Sequence, residues 1–179
     1  QLKDAGNMSD RLAGLSALVN SRSTLADAAL ERFHTLANGN ALVLDKWFDV
    51  QARASEDPQG QGSVLARTKA LLQHKDFSLR NPNRVRSLIG RFCNANRAAF
   101  HRADGAGYAF WADRVIELDA GDANAMRALP RLLLLSDDAA GAALVIEKHR
   151  DRLAGDDLAQ REVELSELYM LRLERFDDA

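Results

Sequence analysis

Apolar residues recur along this chain at steps of three and four, the spacing that gathers side chains on one face of an α-helix. Alternating Val/Ile/Thr runs, which would mark strands, do not occur. The pattern predicts an all-α protein. With Asn7 or Ser9 as the cap, Leu12, Leu15, Leu18 and Val19 line one face of a first helix. Thr24, with Asp27 three residues on, reads as a variant capping box leading into Ala28, Leu30, Phe33 and Leu36, and Gly39 supplies the C-terminal stop. A third helix carries Leu42, Val43, Trp47, Phe48 and Val50. It ends before ASEDPQGQGS, the clearest loop, where Pro58, Gly60 and Gly62 cluster.

Ser63 is expected to cap a helix bearing Val64, Leu65, Thr68, Leu71 and Leu72. Asn81-Pro82 then gives a cap followed by Pro at the first helical position, where its missing N–H costs nothing. Val85, Leu88, Ile89, Phe92 and Cys93 fall at i, i+3, i+4, i+7 and i+8, a full apolar stripe. A short helix around Arg97 to Phe100 precedes a Gly105/Gly107 break and a helix with Tyr108, Trp111, Val115 and Leu118. Further helices are expected near 122–135, 138–153 and 157–175, with Asp122, Asp137 and Asp156 as caps, and Pro130 should kink or end the first of them. About nine or ten helices with short loops and no exact repeat predict an irregular superhelical array of antiparallel helix pairs, of helical-repeat type.

Composition narrows the class. A chain of 179 residues, 46% hydrophobic and 28% charged, has length for a single helical domain, 1–179, and too much apolar content for disorder. No window approaches the roughly 18 consecutive apolar residues of a membrane span. The first residues, QLKDAGNMSD, lack the basic-then-apolar pattern of a signal peptide. Cys93, the single cysteine, cannot form an internal disulfide, which fits a reducing compartment.

The net charge of −2 hides an asymmetry. Residues 1–120 carry 16 basic against 13 acidic side chains, and residues 121–179 carry 8 against 13. No acidic residue lies between Asp76 and Asp104, while Arg80, Arg84, Arg86, Arg91, Arg97 and Arg102 all fall in that window. Two readings follow: a solvated face with interhelix salt bridges to acids such as Asp45, Asp49 or Asp113, or an electropositive wall that receives a carboxylate or phosphate. Arg84 and Arg91 are seven apart and share one flank of the apolar stripe; Arg86 lies on the other, with Gly90 one turn beyond it. Nucleic acid fits poorly, because Lys and exposed aromatics are scarce there and the whole chain is slightly acidic.

Catalytic patterns are absent from the sequence. His34, His74, His101 and His149 are scattered, none with another His or Cys one turn away, so no metal ligand set is expected. Cys93 lies in an apolar stripe and reads as a small hydrophobe rather than a nucleophile. Neither GxSxG nor GxxxxGK[ST] occurs.

The run FSLRNPNRVRSLIGRFCNANRAAFH (77–101), followed by DGAGYAFWADRVIELD (104–119), resembles the C-terminal helical domain of bacterial aminopeptidase N, the zinc-dependent alanyl aminopeptidases. DAGNMSDRLAGLSAL (4–18), NALVLDKWFDVQA (40–52) and VLARTKALLQHKDF (64–77) resemble preceding parts of the same domain in the same order. The resemblance covers residues 1–119, and 120–179 is left as a helical tail without a match. It implies a non-catalytic cap domain of a multidomain, cytoplasmic exopeptidase, closing the active-site cavity and guiding peptide substrates with arginine side chains. The HExxH zinc site and GAMEN motif of the family belong to its catalytic domain and do not occur here, so zinc is implied for the parent enzyme and no cofactor for this chain. The second Arg of NPNRxR, a cavity-facing residue by the resemblance, is Arg86. A later cavity Arg of the family follows an NPQVA-type segment; here GDANAMR lacks the Pro and is one residue shorter, matching Arg127. Arg84, Arg86 and Arg127 are thus the substrate-channel candidates, and the implied partners are the other domains of the same polypeptide and peptide substrates. The alternative reading is a free-standing helical-repeat adaptor that binds an acidic protein segment through the Arg80–Arg102 face.

Overall fold

A computed structural model describes residues 7–56, 63–119, 122–135, 138–152 and 155–173, and among them every regular element is helical. The chain folds as two compact units, 1–100 and 101–179.

The first unit is built around α3 (Ala41–Ala52), which packs against α1 (Met8–Asn20), α2 (Ala26–Ala37), α4 (Ser63–Leu71) and the helical stretch that begins at Pro82. Asn7 caps α1 by accepting from Asp10 N at 2.9 Å, and Asn40 caps α3 by accepting from Leu42 N and Val43 N. Phe33, Phe48 and Phe92 have no exposed surface, and each contributes roughly 2–3 kcal/mol of transfer free energy to the core. Trp47 adds its ring while its indole N–H donates to Leu30 O at 2.9 Å.

The expected capping box at Thr24 does not form. α2 begins two residues later, after Leu25, and Ser23 serves the turn instead, accepting from Leu25 N through Oγ and from Ala26 N through its carbonyl. At the other end the chain leaves α2 through left-handed Asn38 and Gly39 (φ +44° and +78°), the expected stop with one residue added. Ser63 is the first helical residue of α4, and its hydroxyl donates to Glu56. The expected loop residues Pro58, Gly60 and Gly62 lie outside the described residues.

Asn81 caps α5 (Pro82–Val85) as expected, accepting from Asn83 N and Arg84 N at 3.1 and 3.2 Å, with Pro82 at the first helical position. The helix then widens into a π turn at Arg86–Gly90, where Arg91 N–H bonds to Arg86 O five residues back, before resuming as α6 (Arg91–Ala95). The apolar stripe alone had implied an uninterrupted α-helix. Leu88, Ile89 and Phe92 are nonetheless buried, so the stripe faces inward as the spacing requires. Cys93 is partly buried at its edge, and burial pushes its thiol up to about 12, which leaves it protonated and unreactive near neutral pH. Asn96 joins α6 to α7 (Arg97–Phe100), donating to Ala52 O and Ala54 O at 3.0 and 2.9 Å and accepting from Ala99 N.

In the second unit each helix packs on the next: α8 (Ala106–Leu118) on α9 (Ala123–Leu135), α9 on α10 (Ala139–His149), and α10 on α11 (Gly155–Leu171). Gly105, at φ +73°, turns the chain into α8, whereas Gly107 is already inside that helix and buried. Asp122 caps α9 by accepting from Ala125 N at 2.8 Å. Pro130 does not end α9, which runs five residues past it with the proline ring fully buried. Asp138 caps α10 through Gly141 N at 2.7 Å; Asp137 lies outside the described residues, and Asp156 is within the first turn of α11. The alanines of α8 and α10 permit close contacts: Ala109, Ala112 and Ile116 meet Ala125, Met126 and Leu129, and Ala142, Ala143 and Ile146 meet Leu165, Leu168 and Tyr169.

Candidate functional site

Asp45 and Asp49 are four residues apart on α3, and therefore project from one face of it. Opposite them stand Asn83, Arg86, Ser87 and Arg91 on the α5–α6 stretch. A groove of about 330 Å³ opens between these two sets, with Leu42 and Lys46 completing its α3 side.

The arginines around it divide by role. Arg84 is 5% exposed. Its guanidinium pairs with Asp45, donates to Asp76 O at 2.9 Å and to Ala41 O at 3.2 Å, and lies 5.3 Å from the centre of the Phe48 ring. With those donors engaged inside the unit, Arg84 is a strut between α5 and α3 rather than a free cation. Arg91 also turns toward α3, its Nε 2.8 Å from Asp49, which Arg53 approaches at 2.6 Å from its own helix. The seven-residue spacing thus does put Arg84 and Arg91 on one flank, facing carboxylates one α3 turn apart.

Arg86 is exposed and donates to Asn83 Oδ1 at 3.2 Å. Among the described residues neither Arg86 nor Lys46 has an acidic partner, so they supply the groove's surplus positive charge. Gly90 shares the face of Arg86: a Cβ built there would lie 3.7 Å from Arg86 Cγ and 3.8 Å from Val85 O, both ordinary contacts within its own helical stretch.

Across the whole arginine window, paired and unpaired side chains are mixed, and the interhelix salt bridges expected of a solvated face are present. Arg84, Arg91 and Arg102 are paired with acids, and Arg80, Arg86 and Arg97 are exposed without one among the described residues. Of the three acids expected as partners, Asp45 and Asp49 take that part, whereas Asp113 pairs with its neighbour Arg114. Arg102 lies against Asp104, whose carboxyl is held below the usual range chiefly by that hydrogen bond and, to a smaller extent, by the Ala106 N–H. Arg127 belongs to the second unit, on α9, where its side chain is exposed and its carbonyl accepts from buried Arg161 at 3.5 Å.

Sequence reasoning missed Lys46 and Asn83 as groove residues; each stands three residues before a residue it did name, Asp49 and Arg86, so helical spacing could have found both. It also treated the histidines as scattered. The structure brings His34 and His74 to a ring separation of 5.2 Å beside Asp76, a pairing across forty residues that no local spacing encodes. Burial lowers the basicity of His74, and the hydrogen bond from His34 holds the Asp76 carboxyl below its usual range. Among the described residues no helix is long and apolar enough to cross a membrane.

Residues 1–129 match the family described as a domain of unknown function (DUF3458_C), ARM repeats. That match reaches past residue 119 and takes in Arg127. The chain is 42% identical to aminopeptidase N of Escherichia coli K12 over 120 residues, 67% of this chain and 13% of that protein. It is 47% identical to aminopeptidase N of Caulobacter vibrioides over 116 residues, 65% of this chain and 13% of the relative. For aminopeptidase N of Haemophilus influenzae the identity is 35% over 152 residues, 84% and 17% respectively. Among solved structures, that of Legionella pneumophila aminopeptidase A in complex with aspartic acid is similar at a TM-score of 0.61 and 26% identity, over 92% of this chain and 20% of that one. The chain thus spans less than a fifth of the length of the curated relatives it matches.

Proposed function

The chain belongs to the DUF3458_C family of ARM-repeat domains, and on that premise we propose that it is the non-catalytic C-terminal cap domain of a zinc-dependent, cytoplasmic aminopeptidase. In this reading the cap closes the active-site cavity, the catalytic and other domains of the same polypeptide are its partners, and the zinc is held by the catalytic domain. Peptides are guided by Arg86, with Arg127 as a second cavity arginine. Arg84 positions the helix that carries Arg86.

The supporting observation is Arg86 itself: an exposed guanidinium without an acidic partner among the described residues, on a groove of about 330 Å³, at the NPNRxR position of a chain similar to aminopeptidase N. A guanidinium so placed can take a peptide carboxylate through two parallel hydrogen bonds. The isolated chain supplied with zinc should release no amino acid from peptide substrates above background. In the full-length enzyme, Arg86→Glu should raise KM for peptides roughly tenfold, the size of one charge-assisted contact of about 1.4 kcal/mol. Metal-dependent turnover by the isolated chain would overturn the cap reading, and unchanged kinetics of the Arg86→Glu enzyme would remove Arg86 from the route.

A further inference from the structure

The cluster of His34, His74 and Asp76 has no part in the groove chemistry. His34 is in the last turn of α2, and His74 and Asp76 are in the turns between α4 and α5. Nε2 of His34 is 2.7 Å from Oδ2 of Asp76, and Nδ1 of His74 is 3.7 Å from the same oxygen. One donor atom from each of the three residues lies within 4.8 Å of the other two. The side chains are 17%, 27% and 29% exposed, which leaves a path for an ion and for water.

These positions are fixed by the surrounding fold. The His34 ring packs on Trp47 at 4.9 Å and edge-on against His74 at 5.2 Å, and His74 in turn packs on Trp47 at 5.0 Å and Phe48 at 5.9 Å. Arg84 holds the carbonyl of Asp76 at 2.9 Å, which anchors the turn to α5. Two imidazoles are therefore oriented by an aromatic wall and a carboxylate by a backbone contact, the kind of outer support that metal ligands ordinarily have.

We propose that His34, His74 and Asp76 form a site for one divalent transition-metal ion of the zinc, cobalt or copper class, bound by two imidazole nitrogens and one carboxylate oxygen. Two nitrogens and one oxygen suit these ions and not Mg²⁺ or Ca²⁺, which favour all-oxygen shells. Around a tetrahedral ion with bonds of about 2.0–2.1 Å, ligand atoms stand about 3.3 Å apart. Binding thus requires the His34–Asp76 contact to open by about 0.6 Å and His74 to draw in by a smaller amount. It replaces the His34–Asp76 hydrogen bond and the 3.2 Å bond from Asp76 N–H to His74 Nδ1. The proton between His34 and Asp76 leaves to solvent, and water takes the fourth position. The site does not depend on the cap reading, since every ligand is in this chain.

Trp47 touches both imidazoles, so its fluorescence reports the ion directly. The chain carrying Trp111→Phe, which removes the other tryptophan, is stripped with chelator and titrated with Co²⁺ or Cu²⁺, with Zn²⁺ as competitor and calorimetry for stoichiometry. Saturable quenching with one ion per chain is expected for either ion, reversed by Zn²⁺ in the Co²⁺ titration. Asp76→Asn, nearly isosteric, should weaken binding roughly tenfold or more, and His34→Gln similarly, while His101→Gln should leave it unchanged. Folding of each variant is checked by circular dichroism, and the two ligand variants stand in for one another if one fails. No saturable binding at sub-millimolar metal overturns the proposal. So does binding that survives both ligand substitutions, which would assign the ion to other surface groups.

Discussion

Arg84 of α5 and Asp45 of α3 form an ion pair in which the arginine is almost wholly out of water. A charge so buried must be compensated locally, and here the carboxylate is assisted by two backbone carbonyls. Asp45→Asn should therefore destabilise the chain by about 3 kcal/mol, read as a lower urea midpoint at unchanged slope. Replacing both residues, as Asp45→Asn with Arg84→Met, should cost less than the sum of the single changes, because no uncompensated cation then remains. Additive losses would mean that the pair is not energetically coupled.

Asn96 is 7% exposed and its amide serves the carbonyls of Ala52 and Ala54 where α3 ends. Asn96→Ala leaves both acceptors buried without that donor, at a cost of about 2 kcal/mol, whereas an exposed change such as Asn94→Ala should stay near 0.5 kcal/mol. Equal urea midpoints for the two variants would contradict this account.

Much of this was legible in the chain itself, and the reasons for the exceptions are physical. Caps at Asn7, Asn81 and Asp122 depend on contacts within three residues, and local sequence suffices for them. The Thr24 box fails although its spacing is right, because Ser23 one residue earlier captures the same turn. Pro130 leaves α9 continuous, and the burial of its ring is a property of the tertiary neighbours that local sequence does not encode. At the site, Arg86 could be singled out through motif resemblance. Asp45 could be offered as a partner for an arginine of this window, but which arginine it holds could not, since Ala41 and Asp45 lie about forty residues from Arg84. The His34–His74 pair is hidden for the same reason.

Arg86 should act on substrate and not on stability. Arg86→Ala is expected to shift the urea midpoint by less than about 0.5 kcal/mol equivalent, since an exposed side chain loses little on truncation. In the full-length enzyme the same variant should raise KM more for peptides with a free C-terminal carboxylate than for their amides, and the difference should shrink as salt rises. Equal effects on acid and amide substrates would show that Arg86 does not read the carboxylate.

Asp104 gives a pH signature to the second unit. Its folded-state pKa is depressed, by the Arg102 hydrogen bond above all, so the folded form prefers the carboxylate more than the unfolded chain does. The resulting stability is present above the unfolded value of about 3.9 and is lost as pH falls through the lower folded value. Thermal scans between neutral and acid pH should show wild type losing more stability on acidification than Asp104→Asn, which lacks the titrating group. Parallel curves would remove the Arg102–Asp104 contact as a source of acid sensitivity.

The π turn at Arg86–Gly90 makes the length of this segment as significant as its composition. Each residue added to or removed from a helix rotates everything beyond it by about 100°. The turn at Arg86–Gly90 already holds one residue more than an α-turn, so a deletion there closes it to an ordinary turn with Arg91 still facing Asp49, whereas a further insertion would swing Arg91 off Asp49 while Arg84 stayed on Asp45. The wide turn thus holds a spare residue between two ion pairs, and the segment should accept shortening by one residue more readily than lengthening.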